Sequence, residues 1–319
     1  MPIAVPETPP VVLCFAPVDP TGGGGLVSDM LTLASMGCHP LAVHTAAMVR
    51  DTRHLDEVQP ADGEVLVAQA RAVLEDIPVA AFKLGFCGSV ENVARVAEIV
   101  SDYPELPLVL EPALYAGPDW DEEEDYVSAL AELILPQTTL LVAGRHEICR
   151  LAGIGDGSAD EEMDAAEAAE DGDGEDGLAE GGIGEEACPA GSDLDRAIAR
   201  LLAAGAEQVL LTGGGEPGVH IVNTLIGREG VIRSDSWVRL PGRYLGAGAT
   251  LAAAAASALA HGMGMAEAVQ EAQEFAQQTL RHAYRPGMGR ALPDRFFWAR
   301  TEADTNVATN VATDADAAG

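Results

Sequence analysis

The chain of 319 residues carries 18 Lys+Arg against 51 Asp+Glu, a formal net charge of −33, and 48% of its residues are hydrophobic. That hydrophobic content is enough for a packed core and excludes wholesale disorder. The acidic balance argues against nucleic acid or an anionic membrane surface as a partner, because both are bound through a basic face.

The lysine and cysteine content indicates the salt conditions and the cellular compartment that suit the protein. Lys83 is the one lysine of the sequence. A lysine-poor, acidic surface suits a protein that is kept soluble in high salt. Loosening of the fold at low ionic strength would support this hypothesis. The five cysteines are scattered without a CxxC pair, which indicates neither a disulfide framework nor a zinc site. Residues 1–10 lack a basic leader region and no apolar run is long enough for a membrane span, so we predict a cytoplasmic protein.

Short apolar runs alternate with stretches of helical periodicity over the first half of the chain. Strands are predicted at 11–16, 41–44, 80–84, 108–110 and 140–142. Helices are predicted between them at 26–36, 65–74, 90–100 and 126–135. Continuous apolar strands that alternate with helices are typical of a parallel sheet covered on both faces. The sequence therefore predicts an α/β fold.

The composition changes abruptly after these elements. Residues 155–193 are rich in acids and glycine, with no Lys or Arg and almost no large apolar residue, so we predict a disordered acidic insertion. The remaining predicted elements are a helix at 194–204, a strand at 208–211, a hairpin through 219–221 and 231–232, and helices at 250–261 and 265–284. We expect one domain over 11–300 that the insertion interrupts, with flexible termini at 1–10 and 301–319.

A glycine-rich loop, Asp19-Pro20-Thr21-Gly22-Gly23-Gly24-Gly25, follows the first predicted strand and precedes a helix. Its glycines allow a ligand to approach the backbone, and the free N–H groups of the helix favour anionic atoms. The carboxyl end of a parallel strand is also where α/β proteins bind ligands. The loop is neither GxGxxG nor a P-loop. The simpler interpretation is a flexible turn that Asp19 caps.

A second small-residue segment, Gly246-Ala247-Gly248-Ala249-Thr250, begins the predicted apolar helix. Consecutive backbone N–H groups at a positive helix end form an anion hole suited to the charge on a transferring phosphoryl group. Tight packing of the helix would account equally well for small residues at this position.

Six segments taken together resemble the hydroxymethylpyrimidine/phosphomethylpyrimidine kinases of the ribokinase-like superfamily. Their order and spacing agree with that family over roughly residues 11–285, apart from the insertion. The matching segments are APVDPTGGGG at 16–25 (GSDPSGGAG in the family), TAAMVRDT at 45–52 (TALTxQ(N/D)T), KLGFCGS at 83–89 (K(I/L)GMLGS), LEP at 110–112 (the DP step), LLTGG at 210–214 and LPGRY at 240–244.

The resemblance implies a fold and an activity. The fold is a ribokinase-like three-layer α/β/α sandwich with a mostly parallel central sheet. The activity is transfer of the γ-phosphoryl group of ATP, with Mg²⁺, to the alcohol 4-amino-5-hydroxymethyl-2-methylpyrimidine and then to its monophosphate, in thiamine biosynthesis. The implied partner is this small pyrimidine, and the oligomeric state stays open, a homodimer included.

The resemblance also implies roles for individual residues. The residues that would hold the pyrimidine are Asp19, Gly23, Phe86 and Pro112. The transferring phosphoryl group would be bound by the backbone N–H groups of Gly246, Ala247, Gly248 and Ala249. The nucleotide would be bordered by Thr212, Gly214 and Thr250, and the magnesium ion would be held by Glu147.

The departures from the family pattern fall on residues that carry the chemistry. Ala249 replaces the family's cysteine, its assigned general base, and Leu245 replaces a histidine. Arg50 replaces the glutamine that binds the pyrimidine, Glu111 replaces an aspartate, and only Glu147 remains of the TPNxxEA motif. Two functions are therefore open: an active kinase, or a catalytically degenerate protein (a pseudokinase) that binds a pyrimidine or a phosphate.

We also predict the behaviour of three individual side chains in these motifs. Arg50 is expected to shift the pocket toward an anionic ligand if it points inward, because its fork of donors matches phosphate. Lys83 ends a predicted strand, where we expect it to anchor a carboxylate near the site. Cys87 is interpreted as unreactive, since no base lies near it in the sequence.

Overall fold

The computed structural model of the chain describes residues 8–114, 123–154, 192–213 and 218–300. The predicted insertion and the predicted termini fall largely outside these ranges, as does Gly214. Those predictions therefore stay predictions. The helix that follows the insertion begins at Ser192, two residues before its predicted start.

Nine β-strands of the described residues form one sheet, in the order β3-β2-β1-β4-β5-β6-β7-β8-β9. Their bounds are β1 Val11–Val18, β2 His39–Arg50, β3 Leu55–Pro60, β4 Ala81–Leu84, β5 Leu108–Leu110, β6 Leu140–Gly144, β7 Gln208–Thr212, β8 His220–Gly227 and β9 Gly230–Val238. The six central strands, β2-β1-β4-β5-β6-β7, pair in parallel, and β3, β8 and β9 extend the two edges in antiparallel pairs. The predicted mostly parallel sheet is confirmed.

Eight α-helices of the described residues connect and cover these strands. They are α1 Gly25–Ser35, α2 Gly63–Asp76, α3 Val90–Ser101, α4 Glu123–Ala129, α5 Arg145–Leu151, α6 Ser192–Ala204, α7 Ala247–Ala260 and α8 Met265–Arg281. A π-helical turn, Leu130–Ile134, and a 3₁₀ turn, Leu135–Gln137, continue α4, and a second 3₁₀ turn is Phe297–Ala299. Within the described ranges no helix is long and apolar enough to cross a membrane.

The two faces of the sheet carry separate helical layers. Because side chains alternate along a strand, Leu13 and Phe15 of β1 pack with helices α2 to α6. Val12 and Cys14 of the same strand pack with α1, α7 and α8. All four side chains are fully buried. The predicted three-layer α/β/α sandwich is confirmed.

Helix α7 lies directly against the middle of the sheet. Its residues Ala252 to Ala256 are fully buried, and the helix contacts β1, β4, β5 and β6. Alanine side chains are small enough for the helix to approach the strands closely. The helix therefore brings its first turn to the residues that follow β1 and β5.

Several elements differ from the sequence predictions. Strand β2 runs six residues beyond its predicted end at 44, to Arg50. Strand β3, with the sequence LDEVQP, is absent from the predictions because its acids and half-buried positions give little apolar signal. Helix α5 is also absent from them, because it follows β6 without an intervening loop. Helix α7 begins three residues before the predicted Thr250.

Candidate functional site

The two loops singled out in the sequence are in direct contact at the carboxyl end of the sheet. Gly246 has φ +84°, a left-handed conformation that favours glycine. A Cβ atom on Gly246 would overlap the carbonyl oxygen of Gly23, and one on Gly23 would lie 2.6 Å from Cγ of Leu245. Both glycines are therefore required for the loops to approach each other.

Asp19 organises the first loop through its carboxylate. Its Oδ1 accepts hydrogen bonds from the N–H (2.8 Å) and the hydroxyl (2.6 Å) of Thr21, and its Oδ2 accepts one from the N–H of Gly24 (3.1 Å). The side chain is 1% exposed. The structure thus gives Asp19 the capping role considered in the sequence, and leaves it beside the second candidate residue, Arg50.

Arg50 points toward this loop. It ends β2, its side chain is 4% exposed, and its Nη1 lies 3.8 Å from Oδ2 of Asp19. Its Nε donates a 3.3 Å hydrogen bond to the backbone carbonyl of Asp51. The inward orientation that the anionic-ligand hypothesis requires is therefore present.

The second loop presents free backbone donors at the start of α7. The first hydrogen bond of the helix runs from the N–H of Thr250 to the carbonyl of Gly246, at 3.0 Å. The N–H groups of Ala247, Gly248 and Ala249 have no acceptor among the described residues. Three adjacent donors at a positive helix end form the geometry of an anion hole.

The side chain of Thr250, which the resemblance assigns to the nucleotide, is held by protein atoms. It is fully buried. Its hydroxyl donates to the carbonyl of Gly246 at 2.8 Å and accepts from Nε of Arg295 at 3.1 Å. In the structure this hydroxyl stabilises the loop, and both of its interactions are with protein atoms.

Arg295 connects the two loops, and it is not among the residues that the sequence indicates. Its guanidinium donates to the carbonyls of Gly22 (3.2 Å) and Gly23 (2.7 Å) and to the hydroxyl of Ser28 (2.7 Å), besides Thr250. Burial lowers the pKa of Arg295 to about 10, and nearby carboxylates, Asp29 foremost, oppose that shift. An arginine near the carboxyl end of the chain carries no motif, so no signal in the sequence could have marked it.

Lys83 lies between two carboxylates. Its Nζ is 3.0 Å from Oδ2 of Asp29 and 3.1 Å from Oε2 of Glu111, which confirms the predicted anchoring role. Burial raises the pKa of Asp29 to about 6, against the opposing effect of Lys83. Burial alone would lower the pKa of Lys83, but Asp29 and Glu111 outweigh it and the pKa is raised.

Glu111 places a carboxylate at the anion hole, and Glu147 lies near enough to Glu111 for the two charges to interact. Oε1 of Glu111 would lie 3.2 Å from a Cβ atom on Gly248, so this oxygen faces the start of α7. Oε2 of Glu147 accepts a 2.8 Å hydrogen bond from the N–H of Gly144. The pKa of Glu147 is raised to about 7, chiefly by burial. The hydrogen bond from Gly144 opposes this rise, and the charge of Glu111 adds to it.

These two carboxylates fit a magnesium ion better than a transition metal. The described residues hold no group of three or more His, Cys, Asp and Glu side chains able to bind a metal. Mg²⁺ needs no such group, because it is held by one or two carboxylates together with waters and substrate phosphates. A divalent cation would also stabilise the ionised form of Glu147, which burial disfavours.

The remaining candidates lie around this centre. Phe86 is 2% exposed and its ring lies 5.1 Å from that of Tyr126, within the core. Pro112 is buried and precedes Ala113, which at φ +44° is the one non-glycine residue of the described chain with positive φ. Thr212 ends β7, and its hydroxyl would lie 4.0 Å from a Cβ atom on Gly144. The structure thus places Thr212 beside the Glu147 turn.

Comparison with known proteins gives one consistent family. A sequence model described as phosphomethylpyrimidine kinase matches residues 19–175 and 180–294. A hydroxymethylpyrimidine/phosphomethylpyrimidine kinase of Streptomyces coelicolor is 28% identical over 89% of this chain and 93% of its own. One of Mycobacterium tuberculosis is 30% identical over 91% of this chain and 95% of its own.

Solved structures show the same fold. Pyridoxal kinase of Staphylococcus aureus, in complex with pyridoxal, superposes with a TM-score of 0.75 at 19% identity, over 93% of this chain and 97% of its own. Phosphomethylpyrimidine kinase of Clostridium difficile superposes with a TM-score of 0.61 at 22% identity, over 84% of this chain and 97% of its own.

Proposed function

Because this chain belongs to the phosphomethylpyrimidine kinase family, we propose that it is an ATP-dependent kinase of thiamine biosynthesis. It phosphorylates the alcohol 4-amino-5-hydroxymethyl-2-methylpyrimidine and then the resulting monophosphate. The observation that carries the proposal is the anion hole at the start of α7, held against the Asp19 loop by Arg295.

The anion hole acts on the transferring phosphoryl group. Phosphoryl transfer passes through a loose transition state whose charge is spread over the equatorial oxygens, so positioning and charge stabilisation supply most of the catalysis. The N–H groups of Ala247, Gly248 and Ala249 lack acceptors among the described residues and are therefore available to those oxygens. They are fixed by the helix and need no reorganisation when charge develops.

The Asp19 loop and Arg50 act on the acceptor. The loop N–H groups are held in place by the Asp19 carboxylate, so the loop presents a fixed backbone surface to the pyrimidine. Arg50 adds a buried cation on the same side. A cation at this position favours the monophosphate over the neutral alcohol, because guanidinium binds phosphate through two parallel hydrogen bonds.

Glu111 supplies the proton acceptor that Ala249 cannot provide. Ala249 has no titratable group, whereas Oε1 of Glu111 faces Gly248 in the same loop. Lys83 holds the other oxygen of this carboxylate at 3.1 Å. A carboxylate fixed beside the anion hole is suited to accept the proton of the attacking hydroxyl as the new O–P bond forms and the bond from the γ-phosphorus to the bridging oxygen of ATP breaks, which releases ADP.

The nucleotide and its metal belong at the Thr212 and Glu147 side of the anion hole. Glu147 would hold Mg²⁺ together with waters and the phosphates of ATP, and Thr212, Gly214 and the first turn of α7 would border the nucleotide. When bound, Mg²⁺ neutralises charge on the phosphate oxygens. Glu147 itself is fixed by the N–H of Gly144, so it offers a carboxylate of defined orientation.

The alternative function, a catalytically inactive binding protein, is based on the missing cysteine, and it has less support than the kinase. The Streptomyces and Mycobacterium relatives carry kinase names, and loss of a general base costs about 10²- to 10⁴-fold while leaving charge stabilisation in place. The backbone donors and carboxylates that phosphoryl transfer needs are present in the site. Neither the comparisons nor the geometry favours a pure binding protein.

The test is a binding titration followed by a turnover assay. ATP binding is measured by calorimetry with and without Mg²⁺, and ADP release and phosphorus NMR then follow the reaction on the alcohol and on the monophosphate. We expect binding that Mg²⁺ strengthens and formation of both products. Asp19→Ala, checked for folding by circular dichroism, should weaken binding of the pyrimidine. Binding of both ligands without any ADP formation would contradict the proposal and support the pseudokinase.

A further inference from the structure

A basic pocket stands out in this acidic chain. It has a volume of ≈ 440 Å³, and its lining includes Arg53, His54, Arg243, Arg285 and Arg290. Four of the chain's 18 Lys+Arg thus line one concave surface, although Asp and Glu number 51. No carboxylate of the described residues lines it. Such a concentration of like charge is unfavourable unless an anion offsets it.

Hydrogen bonds of the backbone and of one side chain hold the walls of this pocket together. The side-chain hydroxyl of Thr52 accepts a hydrogen bond from the N–H of Gly289 at 3.0 Å, and the backbone carbonyl of Thr52 accepts one from the N–H of Arg290 at 3.0 Å. The carbonyl of Arg243 accepts the N–H of Ala291 at 3.0 Å. Three distant segments are therefore fixed side by side, and the backbones that carry Arg243 and Arg290 are held together.

The four arginines form no direct ion pair with a carboxylate of the described residues. The ion pairs found there involve other cations, and none joins Arg53, Arg243, Arg285 or Arg290 to a carboxylate. Asp51 is the acid next to the pocket in sequence. Its Oδ1 accepts the N–H groups of His54 (2.8 Å) and Arg53 (2.6 Å), which lower the pKa of Asp51, and the charge of Arg53 adds to that effect. Asp51 therefore offsets part of the charge of Arg53, and the other three arginines have no such neighbour in the ion pairs of the described residues.

We propose that this basic pocket binds the phosphate groups of a small molecule. Guanidinium groups match phosphate oxygens bidentately, and several of them around one concavity select a ligand with two or more negative charges. The volume lies within the range of small-molecule sites. None of the residues assigned above to the kinase reaction lines the pocket, so the pocket is an additional site; its assignment to a phosphorylated pyrimidine, argued next, rests on the proposed function.

The position of the pocket allows two sources for the phosphate. Thr52 follows Arg50 by two residues, and Arg243 precedes Gly246 by three. The pocket therefore adjoins Arg50 and the loop of Gly246 in sequence. The occupant is either the phosphate end of a phosphorylated pyrimidine bound in that site, or a separate small phosphate compound.

The test is calorimetric titration of the full chain with inorganic diphosphate, without metal and at moderate ionic strength. We compare the wild type with the double variant Arg243→Ala/Arg290→Ala. The control is Arg95→Ala/Arg228→Ala, which removes the same charge at a half-buried and an exposed position outside the pocket. Because each charge-assisted hydrogen bond to phosphate is strong, the pocket variant should bind diphosphate roughly tenfold or more weakly. The control should bind like the wild type, and added salt should weaken binding in both.

The outcomes separate the possibilities. Equal affinity in the pocket variant and the wild type would overturn the proposal, because the pocket would then contribute nothing to diphosphate binding. Equal losses in the pocket variant and the control would also overturn it, because they would show general charge attraction in place of a site. Arg285→Ala, a single exposed change, repeats the comparison if the double variant does not fold. Competition between diphosphate and the phosphorylated pyrimidine that is present in the wild type and lost in the pocket variant identifies the substrate as the source. Independent binding of the two in the wild type identifies a separate ligand. Turnover plays no part in this readout, so it stands or fails apart from the kinase assay.

Discussion

Nη1 of Arg50 lies 3.8 Å from Oδ2 of Asp19, and the two side chains are 4% and 1% exposed. The separation is longer than a hydrogen bond, and the Asp19 oxygens already accept hydrogen bonds from the loop. The cation is therefore close enough to Asp19 to be held inward while its terminal donors remain available to a ligand. This arrangement supports the proposal that Arg50 binds an anion.

Arg50→Gln should remove a preference for the phosphorylated substrate. We expect the wild type to bind the pyrimidine monophosphate roughly tenfold more tightly than the alcohol, since a charge-assisted hydrogen bond adds on the order of 1.5–3 kcal/mol. The variant should bind the two about equally. Calorimetry at low and high salt measures both affinities, with Arg228→Gln, at an exposed position, as the control. A wild type that does not distinguish the two ligands at low salt would refute this role.

Glu111→Gln should lower turnover by about 10²- to 10⁴-fold, the usual loss for a positioned proton acceptor. The amide keeps a polar contact to Lys83, so substrate affinity should change little. Steady-state kinetics with separate binding measurements distinguish the two effects. In this background Ala249→Cys should restore part of the turnover, because the helix N-terminus lowers the pKa of a thiol placed there. Full activity of Glu111→Gln would show that positioning alone drives the reaction.

Much of this architecture could be predicted from the sequence, and the omissions have physical causes. The buried strands were predictable because continuous apolar runs such as Val11 to Ala16 are typical of strands covered on both faces. Strand β3 was not, since its pairing with β2 is set by tertiary contact and not by its own acidic residues. The loops of Asp19 and Gly246 were predictable from glycine content. Their contact through Arg295 was not, because it joins residues more than 270 positions apart.

Arg295→Ala should destabilise the fold substantially. The change leaves the carbonyls of Gly22 and Gly23 and two hydroxyls without their buried donor. Each unsatisfied buried group costs on the order of 1–3 kcal/mol, so the free energy of unfolding should fall by roughly 3 kcal/mol or more. Urea unfolding monitored by circular dichroism measures it. Arg228→Ala, exposed and without a described ion pair, should stay within about 0.5 kcal/mol of the wild type; an equally small change in Arg295→Ala would refute the bridging role.

Cys87 should resist alkylation in the folded protein. Burial raises the pKa of its thiol to about 12, although a hydrogen bond involving Tyr126 opposes the shift. At pH 8 only about one thiol in 10⁴ is then the reactive thiolate. Iodoacetamide treatment followed by peptide mass spectrometry measures the modified fraction, with the same peptide from urea-unfolded protein as reference. Equal labelling rates with and without urea would show that the thiol is accessible.

The burial of Lys83 gives the chain an internal indicator of folding. It is the one lysine in the sequence and is 0% exposed, so an amine-directed reagent cannot reach its side chain while the fold is closed. Lysyl endopeptidase likewise has a single site, and cleavage there divides the chain into fragments 1–83 and 84–319. Because Lys83 lies in the central strand β4, the appearance of those two fragments reports opening of the sheet core itself. Protease kinetics in graded salt would therefore follow the stability of the fold without any spectroscopic label.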